Sequence, residues 1–210
     1  MDAMTAQITL YGPSRSRASR ALVALEELGL AYRHVPLFEA GDSPAVREKL
    51  NALNPNSHVP VLDDDGFVLW ESMAINLYLA EKLAAAPLWP KTPRERGLVY
   101  QWSFWSQTEI DRPDWNQARR SGDEARIAQV RRQKVARLGV LDRALAGRAW
   151  LVGDAFSFAD LNVAATLSEP HEGGRIDWQR LDPFEIGLPA LGDWLGRCTS
   201  RESWRKVREL

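Results

Sequence analysis

The pair Glu71-Ser72 stands directly before apolar residues that recur at helical spacing, at Ile75, Leu79 and Leu83. This pattern predicts a helix with Ser72 at its N-cap or in its first turn. The first turn of a helix carries positive potential and has backbone N–H groups without partners inside the helix. An exposed helix start with a serine hydroxyl is therefore a candidate site for binding a carboxylate group.

The residues just before this helix predict a β-hairpin. Pro60 cannot donate a hydrogen bond within a sheet, so it belongs at the start of a strand or at a bulge. The acidic run that ends at Gly66 has the composition of a hairpin turn, and the apolar run 67–69 forms the return strand. The chain thus passes from Val59-Pro60 through a hairpin to the helix start.

The combination of Val59-Pro60 and Glu71-Ser72 resembles the glutathione transferases. That family carries a Val-Pro whose proline is cis, then a hairpin, then an acidic residue and a serine at a helix start. The backbone before the proline pairs with the cysteinyl part of glutathione, and the acidic-Ser pair binds the γ-glutamyl end. The resemblance therefore implies a glutathione site at Val59, Pro60, Glu71 and Ser72, with His58 beside it. The alternatives are an ordinary hairpin-helix unit and, for His58, a solvated loop histidine.

Glutathione transferases activate the thiol of glutathione, because the thiolate is the nucleophile and a free thiol of pKa about 8.5 is mostly protonated at neutral pH. In that family a hydroxyl after the first strand and the positive end of the first helix stabilise the thiolate. Arg20 resembles the first-helix arginine of theta-like and zeta-like classes, and counting back from it implies Ser16 as the activating residue. Ser14 is the next candidate. Capping of the first helix is the alternative role for these serines.

The second substrate of these enzymes lies against the first long helix of the helical domain. The resemblance implies Trp105, Glu109 and Arg112 as candidates for that pocket, with Tyr11 on the first strand as a further one. Aromatic residues at helical spacing are more often core residues, which is the alternative for these positions. The classes of the family diverge most in this region.

The elements that carry these residues follow the order strand-helix-strand-helix-strand-strand-helix over residues 1–84. Gly12-Pro13 ends the first strand, and Gly29 is a natural residue after the end of the first helix. A right-handed crossover makes the first two strands parallel. The order is that of the α/β thioredoxin-like domain at the N-terminus of glutathione transferases.

A linker is predicted at residues 85–92, because small residues are followed there by two prolines. After it the sequence contains no strand pattern, and residues 93–210 predict an all-α domain. Two long amphipathic helices are predicted at 93–112 and 123–146. A thioredoxin-like domain followed by an all-helical domain is the two-domain fold of the glutathione transferases.

A capping box is predicted in the helical domain at Ser157 and Asp160, with Phe156 and Leu161 at the positions of a hydrophobic staple. It closely resembles the capping box of the buried sixth helix in the same family. Both the residues and the resemblance assign it a role in folding rather than in catalysis.

Composition limits the class of protein further. The chain has 210 residues, 45% hydrophobic content and a net charge of -1, which predicts a globular protein and gives no electrostatic case for nucleic-acid binding. No apolar run is long enough to span a bilayer, and residues 1–7 lack the pattern of a signal peptide. The single cysteine, Cys198, excludes an intramolecular disulfide and a Cys-x-x-Cys pair, and the scattered histidines predict no metal site. These features favour a cytoplasmic protein.

The resemblance implies a homodimeric, Ser-dependent glutathione transferase that activates the glutathione thiol for attack on an electrophilic small molecule, in detoxification. A two-fold interface is expected to use the helix after Glu71, with Met73, Ala74 and Leu77 on its apolar face. One alternative is a glutathione-dependent isomerase like maleylacetoacetate isomerase, although the run 14–17 lacks that class's Ser-Ser-Cys. The others are a peroxidase and a non-catalytic binding protein with the same fold.

Overall fold

The structure is a computed structural model that describes residues 8–38, 41, 43–84, 88–111, 114–168, 183 and 186–210. These residues form two compact units. The first unit comprises those within Met1–Ala86 together with Glu202–Leu210, and the second comprises those within Pro87–Arg201. The sequence had assigned 202–210 to the helical domain, whereas the structure groups these residues with the first unit.

A four-stranded mixed sheet forms the centre of the first unit. Its strands are β1 (Ile8–Tyr11), β2 (Tyr32–Val35), β3 (Val61–Asp64) and β4 (Phe67–Trp70). They lie in the order β2-β1-β3-β4, with β1 parallel to β2 and with both other pairs antiparallel. Asp65 and Gly66 join β3 to β4 with positive φ angles of 54° and 87°, which suits a tight hairpin turn. The predicted parallel pair and hairpin are thus confirmed.

Three helices of this unit are α1 (Ala18–Glu27), α2 (Pro44–Leu53) and α3 (Ser72–Lys82). Successive side chains of a strand point to opposite faces of a sheet. Tyr11 and Val61 accordingly share one buried cluster with Leu50 of α2. Their strand neighbours Leu10 and Leu62 are also fully buried, and α1 and α3 pack against each other. The sheet therefore has a core on both faces, as expected for the thioredoxin-like fold.

The prediction that Met73, Ala74 and Leu77 of α3 form a dimer interface is corrected at one of the three positions. Met73 is buried within its own unit, while Ala74 and Leu77 are half-buried. Met73 lies on the same side of the helix as Asn76, whose side-chain amide donates a hydrogen bond to the backbone carbonyl of Arg20 on α1 at 3.3 Å. This side of α3 faces α1, so Met73 is not available to a partner.

The second unit consists of helices. They are α4 (Pro93–Trp105), which continues as a π-helix (Ser106–Ile110), then α5 (Asp114–Ser121), α6 (Glu124–Leu145), α7 (Phe158–Leu167) and α8 (Pro189–Thr199). Every residue of α7 is buried, which makes it the central helix of this unit. In the part of the chain that the structure describes, no strand lies in this unit, and no helix has the length and apolarity needed to cross a membrane.

Asp160 in the first turn of α7 connects three segments of the second unit. One carboxylate oxygen accepts hydrogen bonds from the backbone N–H of Leu151 and from the indole N–H of Trp194, each at 2.8 Å. The other oxygen accepts from the backbone N–H and the hydroxyl of Ser157, each at 3.0 Å. Burial raises the pKa of Asp160, and these four donors oppose the rise. The capping box is therefore confirmed, and its carboxylate also holds α8.

A last helix, α9 (Glu202–Arg208), packs against α1. The Ser203 hydroxyl donates a hydrogen bond to the Glu27 carboxylate at 2.5 Å. Glu26 accepts a hydrogen bond from the Tyr32 hydroxyl at 2.8 Å and forms an ion pair with Lys206 at 3.3 Å. Burial together with the Glu26 carboxylate raises the pKa of Tyr32. These contacts explain why the end of the chain belongs to the first unit.

The buried carboxylate of Asp64, at the end of β3, pairs with side chains of α3. Its side chain is 3% exposed, forms an ion pair with Lys82 and accepts a hydrogen bond from the Tyr78 hydroxyl at 2.6 Å. Burial acts to raise the pKa of Asp64, but the hydrogen bonds from Lys82 and Tyr78 outweigh it and hold the pKa below its usual value. The same carboxylate raises the pKa of Tyr78 to about 12.

We expect Asp64→Asn to lower the free energy of unfolding at pH 7 by about 1.5–3 kcal/mol, the range for hydrogen bonds to charged groups. The pKa of Asp64 is lower in the folded protein than the value of about 3.9 in the unfolded chain. Its ionisation therefore stabilises the fold above about pH 4, and this stability is lost as the pH falls through the folded pKa. Urea unfolding of both proteins from pH 7 into the acid range measures the effect. A difference that stays constant over this range would contradict the assignment.

Candidate active site

The start of α3 has an unusual backbone conformation. Glu71 occupies the N-cap position with a φ of 74°, which is uncommon for a residue other than glycine. Its side chain is exposed and makes no capping hydrogen bond to the helix. Such conformations persist where the surrounding structure enforces them and are concentrated at functional sites. Ser72, the first residue of the helix, is 2% exposed. The first turn of α3 is therefore not capped by the residue that precedes it.

The peptide bond between Val59 and Pro60 is cis, as the resemblance implies. Pro60 is buried next to β3, and Val59 is half-buried. Among the described residues, the backbone of Val59 has no hydrogen-bonded partner. A bound molecule with its own backbone amide can use these groups, since backbone N–H and C=O groups are strong donors and acceptors.

Asn54 holds the loop that leads to this peptide. Its side-chain amide donates a hydrogen bond to the backbone carbonyl of His58 at 2.8 Å, and its side-chain oxygen accepts one from the backbone N–H of Asn56 at 2.9 Å. The side chain of His58 is exposed. The contact of Asn54 with His58 depends on the path of the loop, which the local sequence pattern does not specify.

Gly12 lies where β1, α1 and the loop before Pro60 meet. Its φ is 133°, and its backbone N–H donates a hydrogen bond to the carbonyl of Val35 at 2.9 Å. A Cβ atom at this position would lie 2.9 Å from the Cβ atoms of both Ala18 and Val59. Only a glycine allows the backbone to come this close. The serine-bearing loop that follows Gly12 therefore starts in direct contact with Val59.

The two candidate serines on this loop differ in their surroundings. The Ser16 hydroxyl is half-buried, donates a hydrogen bond to the carbonyl of Pro13 at 2.7 Å and accepts one from the backbone N–H of Ala18 at 3.1 Å. Ser14 is 5% exposed, and within the described residues its hydroxyl forms no hydrogen bond. Ser16 thus stabilises the start of α1, whereas the donor of Ser14 remains available.

Tyr11 lies in the first unit, whereas Trp105 and Glu109, which were also expected to bind a second substrate, lie in the second unit. Tyr11 belongs to the buried cluster on the α2 side of the sheet, with the Lys49 ammonium 5.4 Å from the centre of its ring. In the second unit, Trp105 packs edge-to-face on Trp102 at 5.3 Å between ring centres. Glu109 lies on the π-helix, and its carboxylate is 3.2 Å from the Arg137 guanidinium.

Arg112, the remaining expected residue of this group, lies outside the described residues. Within the described part of the chain, no three neighbouring His, Cys, Asp or Glu side chains form a group that could hold a metal ion.

Sequence reasoning missed Gly12 and His34 as parts of this site. The sequence does contain an indication for Gly12, because a glycine between a strand and a helix often marks a place where two backbone segments approach closely. The sequence contains no such indication for His34. Its partner is the carbonyl of Gly12, and only the pairing of β1 with β2 brings the two together.

Both units resemble the two domains of known glutathione S-transferases. Residues 6–81 match the N-terminal domain of glutathione S-transferases, and residues 100–202 match the C-terminal domain. The Escherichia coli (strain K12) glutathione S-transferase GstB is 29% identical over 95% of this chain and 97% of its own length. Glutathione S-transferase hmp2 of Hypomyces subiculosus is 30% identical, with the same shares of both chains covered.

A solved structure resembles the chain over nearly its whole length. It is a theta class glutathione S-transferase from the citrus canker pathogen Xanthomonas axonopodis pv. citri with glutathione bound. The two proteins are 32% identical, 97% of each chain is covered, and the TM-score is 0.74. The domain matches, the full-length relatives and this structural similarity together establish that the chain belongs to the glutathione S-transferase family.

Proposed function

We propose that this protein binds glutathione on its first unit and activates the glutathione thiol for attack on an electrophilic small molecule. The observation that carries the proposal is the junction of Gly12 with Val59, because it sets a loop with two serine hydroxyls beside a backbone segment that has no partner among the described residues. The names of the relatives and the glutathione bound in the Xanthomonas protein support the same ligand.

In this proposal the γ-glutamyl end of glutathione binds at the start of α3. Its carboxylate accepts hydrogen bonds from the first-turn N–H groups and from the Ser72 hydroxyl, and the helix dipole favours the negative charge. The exposed Glu71 carboxylate pairs with the ammonium group. The cysteinyl backbone pairs with Val59 on the N-terminal side of Pro60, with His58 at the edge of the site.

We assign thiol activation to Ser16. Its oxygen already accepts a hydrogen bond from Ala18, and its proton goes to the carbonyl of Pro13. A hydrogen bond to an ionised acceptor is about twice as strong as one between neutral groups, so a thiolate competes well with the Pro13 carbonyl for this proton. The Ser16 side chain is also more accessible to a ligand than that of Ser14.

Ser14 is the second candidate, because within the described residues its hydroxyl forms no hydrogen bond and can donate to a ligand. The two assignments make different predictions for single substitutions.

We expect Ser16→Ala to raise the pKa of the bound glutathione thiol by about one to two units, because one charge-assisted hydrogen bond supplies about 1.5–3 kcal/mol and each unit corresponds to about 1.36 kcal/mol. At a pH below this pKa, the rate of the chemical step should fall about tenfold per unit, while glutathione affinity changes less. Thiolate absorbance of bound glutathione, titrated against pH, measures the shift. Ser14→Ala is the matched control and should leave the titration unchanged.

The reverse pattern, with a raised thiol pKa in Ser14→Ala and the wild-type pKa in Ser16→Ala, would transfer the role to Ser14. A wild-type protein that binds glutathione without lowering its thiol pKa would reject catalysis by thiol activation. Because Ser16 also helps to start α1, the unfolding midpoint of each variant is measured alongside.

For the second substrate we propose that Trp105 and Glu109 of the second unit contribute to binding, while Arg112 and Tyr11 stay candidates from the sequence. The π-helix around Glu109 supports this, since such turns are frequent at functional sites. The electrophile would be conjugated to glutathione, a reaction that serves detoxification. We further propose that the protein acts in the cytoplasm.

We also propose that the protein is a homodimer. The edge strand β4 presents Phe67 at 49% and Trp70 at 36% exposure, and α4 presents Leu98 at 41% and Phe104 at 58%. Each unit thus exposes large apolar side chains of its own, and such side chains support the proposal of an interaction surface. Light scattering should give twice the chain mass of 23.7 kDa, and a monomer at micromolar concentration would reject the dimer.

A further inference from the structure

We infer that His34 is a positioning residue for thiol activation: its side chain anchors the carbonyl of Gly12 and thereby fixes the loop that carries Ser14 and Ser16. The inference rests on the proposed function, since it concerns the same thiol. It assigns a role to a histidine on β2, the strand at the edge of the sheet and away from the hairpin and α3.

The pairing of β1 with β2 is interrupted at Gly12. The N–H of Gly12 donates to the carbonyl of Val35 at 2.9 Å, as a parallel ladder requires. In such a ladder, the carbonyl of Gly12 would next accept from the N–H of Leu37, two residues beyond Val35. The N–H of Leu37 instead donates to the carbonyl of Val35 at 2.8 Å.

His34 replaces the missing ladder bond. Its Nε2 atom lies 2.8 Å from the carbonyl oxygen of Gly12. A carbonyl only accepts hydrogen bonds, so Nε2 must carry the proton. Both the neutral Nε2–H tautomer and the imidazolium meet this requirement, and the anchor therefore does not depend on the charge of the ring.

The consequence is that Gly12 is tied to β2 through both its N–H and its carbonyl. The next peptide leads to Pro13, whose carbonyl accepts the hydrogen bonds from the backbone N–H and the hydroxyl of Ser16. On its other side, Gly12 is packed against Val59, where the cysteinyl part of glutathione is proposed to bind. His34 thus controls the distance between the activating hydroxyl and the sulfur without touching either.

The test compares substitutions that keep or remove the donor. His34→Phe keeps a ring of similar size without an N–H, and His34→Gln keeps an N–H that can reach a carbonyl. His34→Leu is a second donor-free variant, to be used if the phenylalanine variant does not fold. The measurements are the pH titration of bound glutathione thiolate, kcat and the KM for glutathione.

We expect the donor-free variants to raise the pKa of the bound thiol by about one unit, with kcat about tenfold lower at a pH below that pKa. The KM for glutathione should change less than twofold, because the γ-glutamyl site on α3 is untouched. His34→Gln should restore the titration to within about 0.3 unit of wild type.

A wild-type titration in the donor-free variants would overturn the inference, as would equal shifts in the donor-free and glutamine variants. A parallel loss of kcat and thermal stability with an unshifted thiol pKa would also overturn it, since this indicates a purely structural role. The thiol pKa of glutathione bound to the wild-type protein is measured first. If it is not lowered, the proposed function itself is rejected, whatever the His34 variants show.

Discussion

Asp160→Ala is expected to lower the free energy of unfolding by about 3–5 kcal/mol, the largest stability effect of a single substitution that we expect in the second unit. The substitution leaves the buried N–H groups of Leu151, Ser157 and Trp194 without their acceptor. Each buried donor without a partner costs about 1–3 kcal/mol. It also separates α7 from α8, which the Trp194 hydrogen bond connects.

Urea or thermal unfolding measures this effect against two controls. Ser157→Ala removes only the hydroxyl of the cap and should cost about 0.5–2 kcal/mol. Asp154→Ala removes an exposed carboxylate nearby and should change the free energy of unfolding by less than about 0.5 kcal/mol. If Asp160→Ala is no more destabilising than Ser157→Ala, Asp160 acts only as a capping partner and does not join the three segments.

Gly12→Ala is the substitution with the largest expected effect on the first unit. A Cβ atom would come within 2.9 Å of Ala18 and of Val59, and the φ of 133° is strained for any residue with a side chain. Overpacking and backbone strain each cost about 1–3 kcal/mol, so together they should lower the free energy of unfolding by about 2–6 kcal/mol. Because Val59 is displaced, the Kd for glutathione should rise at least about tenfold, which corresponds to about 1.4 kcal/mol.

Gly29→Ala is the matched control for this experiment. Gly29 also has a positive φ, of 63°, but nothing lies within 4 Å of the position of a Cβ atom there. This substitution should cost only about 1 kcal/mol and leave glutathione binding unchanged. Calorimetry and unfolding are measured on both variants. Equal effects of the two substitutions would mean that the contact with Val59 has no role in binding.

Local sequence patterns were sufficient to predict the helices, strands and turns of the fold. The hairpin turn at Asp65-Gly66, the capping box at Ser157 and the helix that starts at Ser72 depend on residues within a few positions of one another. Propensity, turn chemistry and capping act over this range, so the sequence predicts them. The resemblance extended the prediction to the cis peptide before Pro60 and to both domains.

Long-range packing decided what these elements contribute to the site. Met73 fits the sequence of an exposed interface but lies against α1, since the direction of an apolar face depends on the neighbouring helix. Long-range packing also decided the position of α9. This helix follows the helical domain in sequence, but its Ser203 donates a hydrogen bond to Glu27 of the first unit. Neither partner is adjacent in the chain.

The sequence by itself determined the order of helices and strands, the turns and caps between them, and the family to which the residues point, because each of these is encoded by neighbours along the chain. Only the tertiary structure decided that Gly12 lies against Val59 and that His34 Nε2 lies 2.8 Å from the carbonyl oxygen of Gly12. It also decided that the Ser16 hydroxyl is hydrogen-bonded to Pro13, whereas the Ser14 hydroxyl forms no hydrogen bond within the described residues. These features depend on contacts between segments far apart in sequence, and on distances of a few ångströms that a one-dimensional pattern does not contain.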